Sequence, residues 1–300
     1  MTNKISLRDS IQIILILCLS FSCGQSERTS DSNPVLGEVT TQTGIPMIAL
    51  AGGTFQMGIE AGVPDEVPVH EVTVGPFLMD KYEVTQERYE SLMMSNPSHF
   101  KSSQNPVEQV RWSEAADYCN ARSIQEGLQP CYDETTFECN FDAGGYRLPT
   151  EAEWEFAARA GGWSYFDFGE DPRPLARFGY FSENSNNRTH PVGSLRANRW
   201  GFYDLFGNVA EWCNDRYGKD YYSSSPKENP RGPEEGNTRV LRGGSWSSAW
   251  ESCRGTARSY DDPGITDACF AKDTYGFRCV RSLSEAERNR FQSASQVNRE

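Results

Sequence analysis

The stretch GFYDLFGNVAEW, Gly201–Trp212, interleaves aromatic residues with glycine and acid, and Asp204 and Glu211 are its only charges. Gly207 and Asn208 interrupt what is otherwise an apolar run. Both residues favour backbone conformations that break helical and strand periods, so the segment is expected to be a buried loop. A buried loop leaves carbonyl oxygens without partners, and a hydrogen-bond network or a hard cation has to satisfy them. Two readings stand side by side. Asp204 and Glu211 complete an oxygen-lined calcium cage, or they bond backbone amides in a core turn.

On the N-terminal side, RLPTEAEWEFAARAGG (Arg147–Gly162) carries a helix signature. Thr150 and Glu153 form a capping box, Trp154, Ala157 and Ala158 share one face, and Gly161 ends the helix. Its acids are expected at the cap and in solvent. Further back, Thr85 caps a helix running to about Met94, and a second runs from Ser113 to about Glu126, its buried stripe being Ala115, Ala116, Cys119 and Ile124. Ile45–Met57 reads as strand, glycine turn and strand; His70–Val74 and Phe77–Val84 alternate as strands. Residues 163–200 show no period and are expected as a long ordered loop. Arg239–Leu241 and GFRCV (Gly276–Val280) close the sheet, and the tail 282–300 is charged and expected to be dispensable.

The 300 residues suffice for one large domain, and no internal repeat or second-domain linker interrupts them. Aromatic residues make up 12% of the chain while mean hydropathy is −0.64, which suits a loop-rich domain pinned by large rings. The net charge of −13 excludes a nucleic-acid partner, which needs clustered Lys and Arg. Residues 1–23 read as an export signal: Lys4 and Arg8 precede the apolar run Ile11–Leu19, too short to span a bilayer. Leu19-Ser20-Phe21-Ser22-Cys23 resembles a lipobox, with Leu one position early and Phe21 bulky, and Cys23 is the lipidation candidate. Residues 24–44 read as a flexible tether to the membrane.

Export makes the cysteines disulfide candidates first and metal ligands second. Cys119, Cys131, Cys139, Cys213, Cys253, Cys269 and Cys279 follow the signal, an odd number that leaves at least one unpaired within the chain. Cys131 and Cys139 flank a polar segment that a bridge would staple. Cys253 and Cys279 bracket a long loop whose closure would stabilise the fold by roughly 3 kcal/mol.

Taken in order, RLPTEAEWEFAARAGG, THPVGS, GFYDLFGNVAEW, VLRGGSW and GFRCV resemble the sulfatase-modifying-factor family, to which the formylglycine-generating enzyme belongs; the resemblance covers about residues 46–281. It implies a single α+β domain of the C-type-lectin-like group, loop-rich, with short twisted sheets and a few helices, here 45–281. It implies calcium on Asp204, the carbonyls of Gly207 and Val209, and Glu211. In the generating enzyme two cysteines of a GGSYxC-x4-C pattern bind Cu(I), and a substrate cysteine in CxPxR is oxidised by dioxygen to formylglycine. Here Gly243-Gly244-Ser245-Trp246-Ser247-Ser248 is followed by Cys253, so the first ligand position is Ser248. A serine hydroxyl is hard and stays protonated, where a thiolate is soft and suits Cu(I). Ser245 matches a family active-site serine. Ala210 stands where the family commonly has tryptophan.

The expectation is an exported member that keeps the fold without copper oxidation, binding a peptide, glycan or envelope protein in a groove of Trp200, Trp212, Trp246 and Trp250. The alternative is an oxidase of protein cysteine with a changed metal site, in which copper is retained. No GxSxG elbow, phosphate loop or histidine at metal-ligand spacing supports other chemistry.

Overall fold

The computed structural model describes residues 34–263 and 272–297. Residues 34–300 form one unit. The export signal, Cys23 and Cys269 lie outside the described residues.

Three small sheets carry the strands. The first has the order β1-β2-β5-β10, antiparallel throughout, from β1 (Val35–Thr40), β2 (Pro46–Leu50), β5 (Phe77–Asp80) and β10 (Val280–Ser282). The second pairs β3 (Gly53–Met57) with β4 (His70–Val74), Gly53 opposite Val74. The third has the order β8-β7-β6-β9: β8 (Arg258–Asp261), β7 (Arg239–Arg242), β6 (Ala210–Arg216) and β9 (Tyr275–Gly276), the last parallel to β6. Ile45–Met57 is the expected strand-turn-strand, yet its two strands join different sheets. Gly52 makes the corner at φ +74°, and a Cβ there would stand 2.3 Å from the Val74 carbonyl oxygen.

Of the helices, α1 (Gln86–Met93) is capped by Thr85, whose hydroxyl accepts from the Arg88 amide. In α2 (Trp112–Gln125), Ala115, Ala116 and Cys119 are buried as expected, but Ile124 is 63% exposed and leaves the stripe. In α3 (Glu151–Arg159) the Thr150–Glu153 box is present, and Ala160, one residue before the expected stop, takes the left-handed conformation. Its acids are not solvated. Glu151, Glu153 and Glu155 are all buried, because α3 packs among β3, β4, β6 and β7 and each carboxylate meets an arginine.

Both ends of the domain extend further than expected. Residues 35–40 lie within the expected tether and are a strand, paired with β2 across Glu38–Ile48 and Val39–Met47. The tail is not an appendage: α4 (Glu285–Val297) is capped by Ser284 and Glu287, and Arg281 forms an ion pair with Glu287. Its Phe291 ring lies against Gly37, where a Cβ would come within 3.1 Å of the ring. Charge composition hid this, since one apolar residue makes the contact.

Apolar side chains form two clusters, one around Phe77, Trp154 and Phe206, the other around Leu78, Trp112 and Trp212. The six described cysteines are thiols. Cys253 sits in the first cluster and Cys279 in the second, so the expected Cys253–Cys279 pair is not formed. Cys279 instead faces Cys119, sulfur to sulfur at 3.6 Å. Cys131 and Cys139 are neighbours across the Tyr132–Cys139 bridge. No described helix is long and apolar enough to cross a membrane.

Candidate functional site

The turn that follows β7 builds one wall of a cleft of about 490 Å³. Gly243 and Gly244 hold φ of +89° and +66°, and a Cβ on Gly244 would stand 2.8 Å from the Cys253 sulfur. Only glycine lets the thiol pack beneath the turn. The Ser245 amide donates to Ser248 Oγ at 2.9 Å, and the two hydroxyls are 3.1 Å apart. Ser247 Oγ lies 3.3 Å from Ser245 Oγ. The sheet face at Ala210, Ser259 and Tyr275 forms the floor, and Thr274, Ser252 and the buried ion pair Glu66–Arg254, bidentate at 2.6 and 2.7 Å, complete the walls. At one end Tyr275 Oη and Lys272 Nζ both donate to Asp261 Oδ2.

Of the expected catalytic residues, the structure brings Ser245 and Ser248 into the cleft and buries Cys253 behind it. Burial, with the charge of Glu251 second, pushes the Cys253 thiol up to about 12. Of the two positions that hold Cu(I) through thiolates in the pattern, one is a serine hydroxyl, a hard donor poorly matched to that soft ion.

The tryptophans do not make the groove. Trp212 is buried with its Nε1–H on the Val110 carbonyl, and Trp200 packs edge-on to Phe156 at 4.8 Å. Trp246 donates to the Asp273 carbonyl and meets Phe100, and Trp250 rests on the core. None of the four lines the cleft; Trp200 and Trp212 are core rings, and Trp246 and Trp250 are half-buried.

The Gly201–Trp212 stretch is a buried loop up to Val209 and becomes β6 at Ala210. Asp204 and Asn208 sit at φ +60° and Gly207 at +107°. A Cβ on Gly207 would stand 2.1 Å from the Tyr180 carbonyl oxygen. Of the expected calcium ligands, Glu211 is already taken by a protein cation. Glu211 points into the core, where Arg278 Nη2 and Nε donate to its two oxygens at 2.6 and 2.7 Å and Trp154 Nε1 adds a third bond at 2.8 Å. Arg278 also donates to the Tyr203, Asp80 and Lys81 carbonyls, so of the expected cation ligands it takes Glu211, together with three carbonyls outside the expected set.

Asp204 lies within reach of the Arg278 and Glu211 charges but bonds neither. Its Oδ2 accepts from the Gly193 amide at 2.7 Å, and its buried Oδ1 has no partner. Burial raises its carboxyl to about 6. Glu83, unremarked in the sequence, lies close by and bonds the Val209 amide and the Asn208 side chain. Burial first, then the charges of Asp204 and Glu211, hold Glu83 well above the usual carboxylate range.

Arg278 and the Glu66–Arg254 pair were missed by sequence reasoning. The only available signal was that GFRCV carries an arginine inside an apolar run.

Comparison with known proteins bears on the family and the fold. Residues 32–283 match the model of the family described as the sulfatase-modifying factor enzyme 1-like domain. The chaperone protein LppX of Paenibacillus barcinonensis is 34% identical over 304 residues, covering 90% of this chain and 98% of its own. The formylglycine-generating enzyme of Streptomyces coelicolor is 33% identical, covering 78% of this chain and 88% of its own. Among solved structures, Treponema denticola variable protein 1 superposes with a TM-score of 0.74 at 29% identity, covering 82% of this chain and 99% of its own. With five ordered motifs, the family's loop-rich α+β fold and a match across most of its length, this chain belongs to the sulfatase-modifying-factor family.

Proposed function

We propose that this chain is a non-oxidising, exported member of its family whose serine-lined cleft holds an extended segment of an envelope protein, the chain being anchored through lipidated Cys23. The observation that carries the reading is Ser248. Where the resemblance places a copper-ligand cysteine, a hydroxyl bonds the Ser245 amide, and Cys253 is left as the single buried thiol of the pattern. The cleft itself persists, lined by hydroxyls suited to peptide amides. The similarity to LppX, whose name describes a chaperone, supports a polypeptide as the occupant.

The test is a copper-loaded protein incubated under air and reductant with a CxPxR peptide, read by mass spectrometry. The expected result is no aldehyde from the parent and aldehyde from Ser248→Cys. Conversion by the parent would overturn the reading in favour of an active oxidase. Binding of glycans but not of extended peptides would overturn the choice of occupant.

Calcium in this proposal is held by Asp204 and the carbonyls of Gly207 and Val209, with further oxygens from solvent and without Glu211, and the support is the buried, partnerless Asp204 Oδ1. Chelation at pH 7.5 is expected to lower Tm, and Asp204→Asn to abolish that sensitivity; an unchanged parent Tm would remove calcium from the account.

A further inference from the structure

At the opposite end of β7 lies a second cleft of about 430 Å³ that shares no lining residue with the first. Three arginines line it: Arg216 at the end of β6, Arg239 at the start of β7, and Arg231 on the loop between them. Their environment is unlike that of the buried arginines, for Arg231 is exposed and Arg216 and Arg239 are half-buried. Arg122, Arg147, Arg159, Arg242, Arg254, Arg258 and Arg278 each meet a carboxylate. Among the described residues, Arg216, Arg231 and Arg239 have none within 4 Å, in a chain of net charge −13. Glu138 and Glu234 line the same cleft but pair with none of the three. The acid nearest in sequence, Asp215, bonds the Glu151 amide and pairs with none of the three.

The three cations are nevertheless held in place. The Arg239 guanidinium lies 3.7 Å from the Trp112 ring centroid, and Arg231 lies 3.9 Å from that of Phe141. Arg239 Nη1 donates to the Asn214 carbonyl and Arg216 Nη1 to the Glu234 carbonyl. Stacking fixes the planes, and only one donor of each of these two guanidinium groups is spent on the main chain. Burial, and then the charge of Arg216, lowers Arg239 to about 10. Three guanidinium groups that line one cleft with no direct carboxylate partner among the described residues favour a bound anion.

We propose that this cleft binds the phosphate or sulfate group of a small monoester, with Arg216, Arg231 and Arg239 as its oxyanion clamp and Phe137 and Phe141 against the ester's apolar part. Three guanidinium forks match a multiply charged tetrahedral oxyanion better than a single carboxylate. The volume exceeds that of a bare ion, which leaves room for the organic part.

The experiment titrates the full chain with phenyl phosphate, phenyl sulfate and benzoate by calorimetry, ionic strength being held constant with chloride. The expected result is saturable binding of the phosphate or sulfate ester, at least about tenfold tighter than benzoate, as one lost charged hydrogen bond implies. Arg231 is exposed and Arg216 half-buried, so Arg231→Gln and Arg216→Gln should fold, as Tm will confirm, and each should weaken binding about tenfold. Absence of saturable binding to either ester, benzoate binding as tightly, or unchanged affinity in both variants would overturn the proposal. Ser248→Cys leaves this binding unchanged, so its failure is distinguishable from failure of the serine-cleft reading.

Discussion

Asp204 and Glu211 stand seven residues apart in one motif, yet the fold gives them opposite fates. Glu211 is neutralised by Arg278, 67 residues further along the chain, while Asp204 keeps an oxygen without a partner. The sequence made both acids conspicuous because they interrupt an apolar run. It could not show which would find a cation, because Arg278 reaches Glu211 only after β6 and β9 pair. Asp204 therefore carries a pH signature. Its folded value of about 6 lies above the unfolded 3.8, so its contribution to stability is complete below about pH 4 and is lost as pH rises through 6. In chelator, Asp204→Asn should gain about 3 kcal/mol relative to the parent between pH 4 and pH 7, read by urea unfolding at each pH. An unchanged difference would mean that Asp204 is not buried as a carboxyl. The variant Glu211→Ala is a poor probe of calcium, because it strips the partner from buried Arg278 and unfolds the loop for that reason alone.

At the scale of elements, α3 shows where local reading works and where it stops. The capping box, the left-handed stop and the apolar face follow from residues within one helical turn of each other, and all were legible. The fate of the acids was not, because it depends on what surrounds the helix. Glu151 takes Arg242 and Arg258, while Glu155 takes Arg242, Arg159 and the Gly58 amide at 2.9 Å. Glu155→Ala should destabilise the domain by about 3–5 kcal/mol, since it leaves two guanidinium groups short of charge in the interior. A loss below 1 kcal/mol by urea unfolding would show that the network is solvated after all. The expected tether and tail failed for the same reason. Val35–Thr40 (VLGEVT) is an apolar island inside a polar stretch and Glu285–Val297 is polar, and what holds them is pairing with β2 and the Phe291 contact, neither of which the composition of the whole segments records. Removing residues 284–300 should therefore lower Tm by several degrees, on the order expected for one lost cluster contact and its helix. An unaltered Tm would return the tail to the status of an appendage.

For the molecule as a whole, the fold was legible because five motifs recur in a fixed order, each at a turn or cap that one particular chain path requires. The cleft was legible only in its glycine-serine turn. Its other walls come from residues 66, 254 and 272–275, which nothing in sequence draws together. The cysteine pairing belongs to this scale as well, since it was chosen from spacing and the answer depended on which core each thiol enters. Cys119 on α2 and Cys279 beside β10 lie 160 positions apart with sulfurs 3.6 Å apart, both fully buried. Exposure of the full chain to a dithiol oxidant such as diamide should link them, with each thiol giving up its proton and one electron to the oxidant. Peptide mapping should recover Cys119 joined to Cys279 and never Cys253 joined to Cys279. Closing so long a loop should stabilise the oxidised form by about 5 kcal/mol in the chain-entropy model, and Cys119→Ala should remove that gain. Recovery of a Cys253–Cys279 link would mean that the two cores exchange side chains in solution, and the separation of the clusters would have to be abandoned.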